Sequence, residues 1–400
     1  MKISLLIIIA LIVLFFFLYI DFYFGRKHQL KKINRHNHPF RYTDFTIYCN
    51  GNDLFPELFS TLKHAKHHIH ILFYTVKTDS ISNEFFALLR EKAKEGVEVR
   101  LVLDWLGSLK IRKKIINELK GAGIEFYFCH IPKLPFFFYS LQVRNHRKIA
   151  IVDGKIGFMG GFNIGKDYIN ANLKLSPWRD CHIKMTGEGL DDLQREFLKD
   201  WLGASKINLL QNQIYFPSQP KGASRHQLIA SKGKYLEEIL SHLIRNAKKS
   251  IIICTPYFIP TKQIMKELLF ALDRNVEIMI LLPNNADHIL VKEASFSYLR
   301  KLLVKNADVF QYTHGFFHSK ITIVDDEICF VGSSNFDKRS ILLNHELNCS
   351  VYDKKFIGEM KKQIQNDLSV SNPLLLADIE KPTIWTLLKE KIAHVFSSFL

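Results

Sequence analysis

The chain opens on Ile3 to Ile20, eighteen residues in which only Ser4 and Tyr19 carry a polar group. At about 1.5 Å per residue a helix of that length spans about 27 Å, close to the ~30 Å hydrocarbon core of a bilayer. The pattern predicts a membrane-spanning helix. The run is longer than a secretory signal and leads into the bulky stretch DFYFGRK with no small-x-small cleavage signature, so it reads as an uncleaved anchor. Beyond a basic stretch to about Arg41 the period changes. HHIHILFYT and VEVRLVLDW read as strands, and between them SNEFFALLREKAKEG places apolar residues at helical spacing and stops on glycine. The same order returns in KSIIICTPYF, TKQIMKELLFALDRN and VEIMILLPNN. Two copies, offset by about 175 to 180 residues, predict a duplicated α/β fold.

The expected architecture is two similar α/β units with mostly parallel sheets, plus one amino-terminal transmembrane helix. The boundaries follow from composition: an anchor over residues 1–22, a basic linker over 23–42, a first unit over 43–215, a linker over 216–226 (FPSQPKGASRH), a second unit over 227–370 and a tail over 371–400. In the tail Trp385, Leu388, Ile392, Val395, Phe396 and Phe399 recur at helical spacing. That is an amphipathic helix, which either packs on its own domain or lies in a membrane interface. The aromatic run Phe136 to Tyr139 has the same two readings, core or lipid-facing lip.

Charge narrows the partner. A formal +16 and a pI near 9.4 favour a polyanion, either nucleic acid or an anionic membrane surface. The anchor and the aromatic run argue for the membrane and against nucleic acid. Arg26, Lys27, Lys31, Lys32 and Arg35 follow the apolar run while only Lys2 precedes it, so the positive-inside rule puts the body of the protein in the cytoplasm, on the cytoplasmic leaflet of the cell membrane. The six cysteines show no CxxC pairing and fall mostly in apolar runs, which predicts buried free thiols in a reducing compartment. The cluster HAKHHIH, His64 to His70, matches no metal-ligand spacing and reads as surface.

Against this apolar background two strands carry polar residues at fixed intervals. NHRKIAIVDG holds His146, Lys148 and Asp153, and FHSKITIVDD holds His318, Lys320 and Asp325. Positions i and i+2 of a strand share a face, so each histidine projects beside its lysine. Behind each motif comes a small-residue turn and an asparagine, Gly160-Gly161 with Asn163 and Gly332-Ser333-Ser334 with Asn335. Two histidines, two lysines and two asparagines meeting at a pseudo-twofold interface suit one phosphodiester. One neutral imidazole attacks phosphorus and the other, protonated, serves the departing oxygen, while the lysines and asparagines hold the nonbridging oxygens. Such a site needs neither metal nor cofactor. A histidine nucleophile also calls for a carboxylate to fix its tautomer. Asp180, in PWRDCHIK after the first motif, and Glu346, in NHELN after the second, are the expected orienters. Asp153 and Asp325 complete the catalytic motif in sequence, yet sit at the far strand ends, where an ion-pair role is expected.

These residues carry a resemblance. The paired HxKx4D motifs with their following asparagines resemble the phospholipase D superfamily from about Phe45 to Asp353. NHRKIAIVDGKIGFMGGFNIG, PWRDCHIKMTG, TPYFIP and NHELNCSVYD, with the anchor, are similar to bacterial cardiolipin synthases. The resemblance implies transfer of a phosphatidyl group from one phosphatidylglycerol to another, releasing glycerol through a phosphohistidine, with His146 as nucleophile and His318 as acid. It leaves a rival, hydrolysis of phospholipid or nucleic acid by the same site. Such enzymes often carry two amino-terminal membrane helices, and this chain shows one. The duplication supplies both half-sites in one chain, so the chemistry does not require an oligomer.

Overall fold

The computed structural model describes residues 2–35, 37–171, 176–285 and 291–397. In it the apolar run is one helix, Lys2–Lys32, with a mean hydropathy of 3.0 over its apolar window. Leu5 to Phe17 stand exposed, a surface suited to lipid. The helix does not stop where the apolar pattern ends but carries the basic stretch onward to Lys32 and lays it on the short helix Phe137–Gln142. Gly25 allows the close approach, since a Cβ there would lie 2.6 Å from Tyr139 Cβ. Phe22 meets the Tyr139 ring edge-on at 5.7 Å, and Asp21 accepts the Tyr139 backbone N–H at 2.7 Å. The aromatic run therefore divides its labour: Tyr139 is buried in this junction while Phe137 is exposed.

The duplication is visible in the strand order of a 16-stranded sheet. In the first unit His68–Phe73, Glu98–Asp104 and Glu125–Cys129 run parallel on the outside. Inside them Ile149–Val152, Ile156–Gly160 and Trp178–Gly187 run antiparallel. The second unit repeats this with Ser250–Cys254, Glu277–Pro283 and Asp308–Tyr312 outside, then Ile321–Val324, Ile328–Gly332 and His345–Val351 inside. The antiparallel strands Arg41–Asn50 and Ser224–Lys232 join the two copies at the centre. The expected mostly parallel sheets are thus corrected to mixed ones. Helical crossovers build the outer strands, whereas the inner ones are linked by turns such as residues 153–155 and 325–327, too short for a parallel return.

Helices cover both faces. Leu190–Ser205 buries Phe197 and Trp201 against the inner strands, and Lys354–Leu368 adds Met360 and Ile364 to the same core. The other face of each unit has its own core. The six cysteines are free, five of them buried and Cys49 partly exposed. The histidine cluster is not surface: His68 and His70 are fully buried, and only His64 stands exposed. Burial lowers His68 to about 4, and His70 accepts its neutrality by stacking on Phe197 at 4.7 Å and bonding to Gln194 and Arg100. The tail helix, Ile384–Phe396, packs Ala393 into the second unit and ties Glu390 to Arg300, while Ile384, Trp385, Leu388 and Ile392 face outward. Phe399 and the side chains of Val395 and Phe396 lie outside the described residues.

Among the described residues Asp153 and Asp325 make no ion pair, which corrects the expectation. Each occupies a left-handed turn position, φ 54° and 56°, and turns its carboxylate onto three backbone N–H groups: Lys66, His67 and His68 for the first, Lys248, Lys249 and Ser250 for the second. They lie at the strand ends remote from His146 and His318 and clamp the entry of the neighbouring strand. Asp153→Ala strands those donors and is expected to cost about 1–3 kcal/mol, read as a lower unfolding midpoint with little change in the catalytic pH profile.

Candidate active site

Each motif histidine stands just ahead of its strand, and the backbone there crosses to the other unit. His146 donates its N–H to the His345 carbonyl at 2.9 Å, and His318 donates to the Arg179 carbonyl at 2.6 Å. His345 is the first residue of the strand His345–Val351 and Arg179 the second of Trp178–Gly187, and the residue after each is an expected orienter, Glu346 and Asp180. The carboxylates are therefore exchanged between halves. His146 Nδ1 lies 3.1 Å from both Glu346 oxygens, and His318 Nδ1 lies 2.6 Å from Asp180 Oδ2. Chain proximity, which couples Asp180 with the first motif and Glu346 with the second, pairs them the other way.

Both carboxylates are fully buried, so their charges are held by specific neighbours. Burial alone would raise Asp180, but Lys320 and His318 outweigh it and hold the group down at about 2. Glu346 is likewise lowered by His146 and Lys148 against its burial, and accepts the Ser333 hydroxyl at 2.5 Å and the Asn344 amide at 3.4 Å. Gly161 serves the other orienter by its size: a Cβ there would meet Asp180 Oδ1 at 1.9 Å. One copy of the turn supplies room and the other a hydroxyl.

Lys148 and Lys320 are also buried. Lys148 donates to the His146 carbonyl at 2.6 Å and Lys320 to Asp180 at 3.2 Å. Burial drives Lys148 down to about 7, with Glu346 opposing and Lys320 adding to the fall. His146 is lowered by burial against the pull of Glu346, and Lys148 and Lys320 reinforce the shift. The contact with Glu346 engages Nδ1 of this histidine and leaves Nε2 on the other side of the ring. Asn163 gives its side-chain oxygen to the Thr75 N–H at 3.1 Å and its amide to the Tyr168 hydroxyl at 3.3 Å. The side-chain oxygen of Asn335 is buried and has no hydrogen-bond partner among the described residues.

Several contributors were not singled out as site residues from sequence. Tyr74 packs edge-on against His146 at 5.1 Å with Lys148 over its face at 5.5 Å, and Trp178 lies 4.9 Å from His318. Arg147, on the opposite strand face from its neighbours, is fully buried and reaches the Glu346 carbonyl at 3.2 Å, Glu196 at 3.0 Å and Asp200 at 2.9 Å. A charged residue between His146 and Lys148 was the available signal. Asp104, Cys129 and His130 come together as a possible cation cluster. They do not fit one: Asp104 already accepts from Leu106, Gly107 and Asn145 N–H groups and from Arg144, and burial pushes the Cys129 thiol well up.

A duplicated mixed sheet that brings two His-x-Lys pairs, their lysines buried, onto each other's carboxylates defines a phospholipase D-like enzyme. A family model described as cardiolipin synthase, phospholipase D-like domain, matches residues 58–201 and 240–368. The chain is 35% identical to minor cardiolipin synthase ClsB of Bacillus subtilis strain 168 over 400 residues, covering 100% of both. It is 37% identical to major cardiolipin synthase ClsA of the same organism over 365 residues, 88% of this chain and 75% of that one. The fold is shared with phosphatidylserine synthase of Haemophilus influenzae Rd KW20, TM-score 0.73 at 15% identity, over 94% of this chain and 100% of that one. The chain belongs to the cardiolipin synthase family of the phospholipase D superfamily.

Proposed function

We propose that this chain makes cardiolipin by moving a phosphatidyl group from one phosphatidylglycerol to another. The observation that carries the reading is the crossed pair of contacts between each motif histidine and a buried carboxylate of the other half, each beside a buried lysine. His146 Nε2 attacks the donor phosphorus, and His318 gives the proton on its Nε2 to the departing glycerol oxygen. The P–O bond breaks as the P–N bond forms. The terminal hydroxyl of a second phosphatidylglycerol then returns a proton to His318 and attacks phosphorus, releasing His146. Lys148, Lys320 and the two asparagines hold the nonbridging oxygens. One phosphodiester replaces another, so the exchange draws on no cofactor. The basic residues after the apolar helix support placement of the site at the cytoplasmic leaflet, where each adds about 1 kcal/mol of attraction to an anionic surface.

Purified protein given phosphatidylglycerol alone, without nucleotide, is expected to form cardiolipin and glycerol, separated by thin-layer chromatography. Phosphatidic acid as the main product would overturn transfer in favour of hydrolysis. The pH profile carries a second expectation. His146 must be neutral to attack, and its pKa is lowered from 6.5, so the acid limb of kcat/KM falls below pH 6.5. Lys148 loses its charge above about 7, which places an alkaline limb there. Lys148→Arg, charged throughout, is expected to move that limb to higher pH; an alkaline limb that stays in place would remove Lys148 from the assignment.

A further inference from the structure

The duplication breaks at one position beside the reaction centre. Four residues after Asn163 stands Asp167, and four residues after Asn335 stands Arg339. The same place in the two copies thus carries opposite charge. Asp167 pairs with Lys77. Arg339 lies in the short helix Lys338–Leu342 and bonds to Gln142, through Nη2 to its carbonyl at 3.0 Å and through Nη1 to its amide oxygen at 3.5 Å. Its charge is felt by Tyr74, whose ring packs on His146. Gln142 ends the helix on which the anchor rests, and Leu343 joins Tyr139 and Val143 in the cluster that receives Phe22. Arg339 therefore stands between the reaction centre and the membrane anchor. It remains partly open to solvent, with Tyr74, Asp104, Arg144 and Asp337 within electrostatic reach.

We infer that Arg339 binds the phosphodiester of the second lipid, the acceptor whose hydroxyl completes the transfer. The inference rests on the proposed phosphatidyl transfer. The acceptor carries two demands at once: its hydroxyl must reach the phosphoryl centre, and its own phosphate, one three-carbon bridge away, must stay on the side where its acyl chains enter the bilayer. The two lysines are committed to the reacting phosphate, and a second anion beside the first is repelled without a cation of its own. A planar guanidinium on the anchor side meets both demands and offers the forked geometry that phosphate oxygens accept. The opposite flank, with Asp167 in the equivalent place, offers no such welcome. Arg339 thereby selects an anionic lipid acceptor over a neutral alcohol or water.

The test measures acceptor choice in the full chain. In mixed micelles of phosphatidylglycerol with a fixed concentration of ethanol, the ratio of cardiolipin to phosphatidylethanol is expected to fall at least about ten-fold in Arg339→Gln, and less in Arg339→Lys, which keeps the charge. A ratio equal to that of the wild type in Arg339→Gln overturns the inference, whether or not total turnover falls. The wild-type protein supplies a check that depends on no variant: glycerol 1-phosphate is expected to be used as a soluble acceptor at least about ten-fold better than glycerol. Equal use overturns the inference as well. Wild-type protein that yields phosphatidylethanol but no cardiolipin would instead defeat the transfer reading, and this inference with it.

Discussion

On the proposed mechanism, His146→Ala is expected to lower cardiolipin formation by at least about 10⁴-fold, because there it removes the atom to which phosphorus is transferred rather than a group that assists. His318→Ala is expected to fall by a comparable factor on phosphatidylglycerol, whose glycerol oxygen needs a proton to depart. The two variants separate on a phosphodiester donor with an acidic phenol as leaving group, which departs unprotonated. There the first step in His318→Ala is expected to recover and phosphoenzyme to accumulate on His146, whereas His146→Ala stays inactive. Recovery of His146→Ala, with phosphate trapped on His318, would reverse the assignment. The lowered pKa of His146 and the 2.6 Å contact of His318 with a carboxylate held at about 2 are what favour the direction given. A base is needed on one side and an acid on the other, and the site of phosphate trapping assigns which is which.

The second large effect follows from the exchange of carboxylates. Glu346→Gln is expected to reduce kcat/KM by about 10²–10⁴-fold, the range seen when a histidine loses the group that fixes its tautomer. The more decisive readout is the pH profile. Glu346 raises the pKa of His146 against the effect of burial, so its removal lets that pKa drop further and moves the acid limb to lower pH. Asp180→Asn acts on the other histidine and is expected to reduce the rate while leaving the acid limb where it was. If instead Asp180→Asn displaced the acid limb and Glu346→Gln did not, the pairing would run within each half, as chain order suggests.

Much of this is legible in the sequence. The apolar run at the start, the repeat of strand and helix, and the His-x-Lys spacing are local patterns, and local patterns survive into the fold. His146 with Lys148 and His318 with Lys320 could be paired because a strand's period is two. The partner of each histidine could not be assigned, because it depends on Asn145 bridging to His345, a pairing between strands 200 residues apart in chain position. The inner antiparallel strands were missed for a related reason: their runs are as apolar as parallel ones, and only the shortness of the turns betrays them. His68 and His70 looked like surface by composition, yet the strand that carries them is covered on both faces. Asp153 and Asp325 were recognised as remote from the chemistry, but their partners are backbone amides, which no side-chain pattern announces.

The junction between anchor and catalytic body works as a ruler. The helix that leaves the apolar segment continues unbroken to Lys32 and is gripped near Gly25 by Tyr139 and Phe136, so no flexible tether separates the bilayer from the helix that precedes His146. The height of the cleft above the lipid is then fixed in steps of one residue. Each residue inserted between the apolar run and Asp21 would lift the body by about 1.5 Å and swing it by about 100° around the helix axis. Rotation about an axis that crosses the bilayer keeps the cleft turned toward the same surface, so the added height is what such an insertion changes. In such a molecule the reach from bilayer to phosphorus is written into the length of one helix.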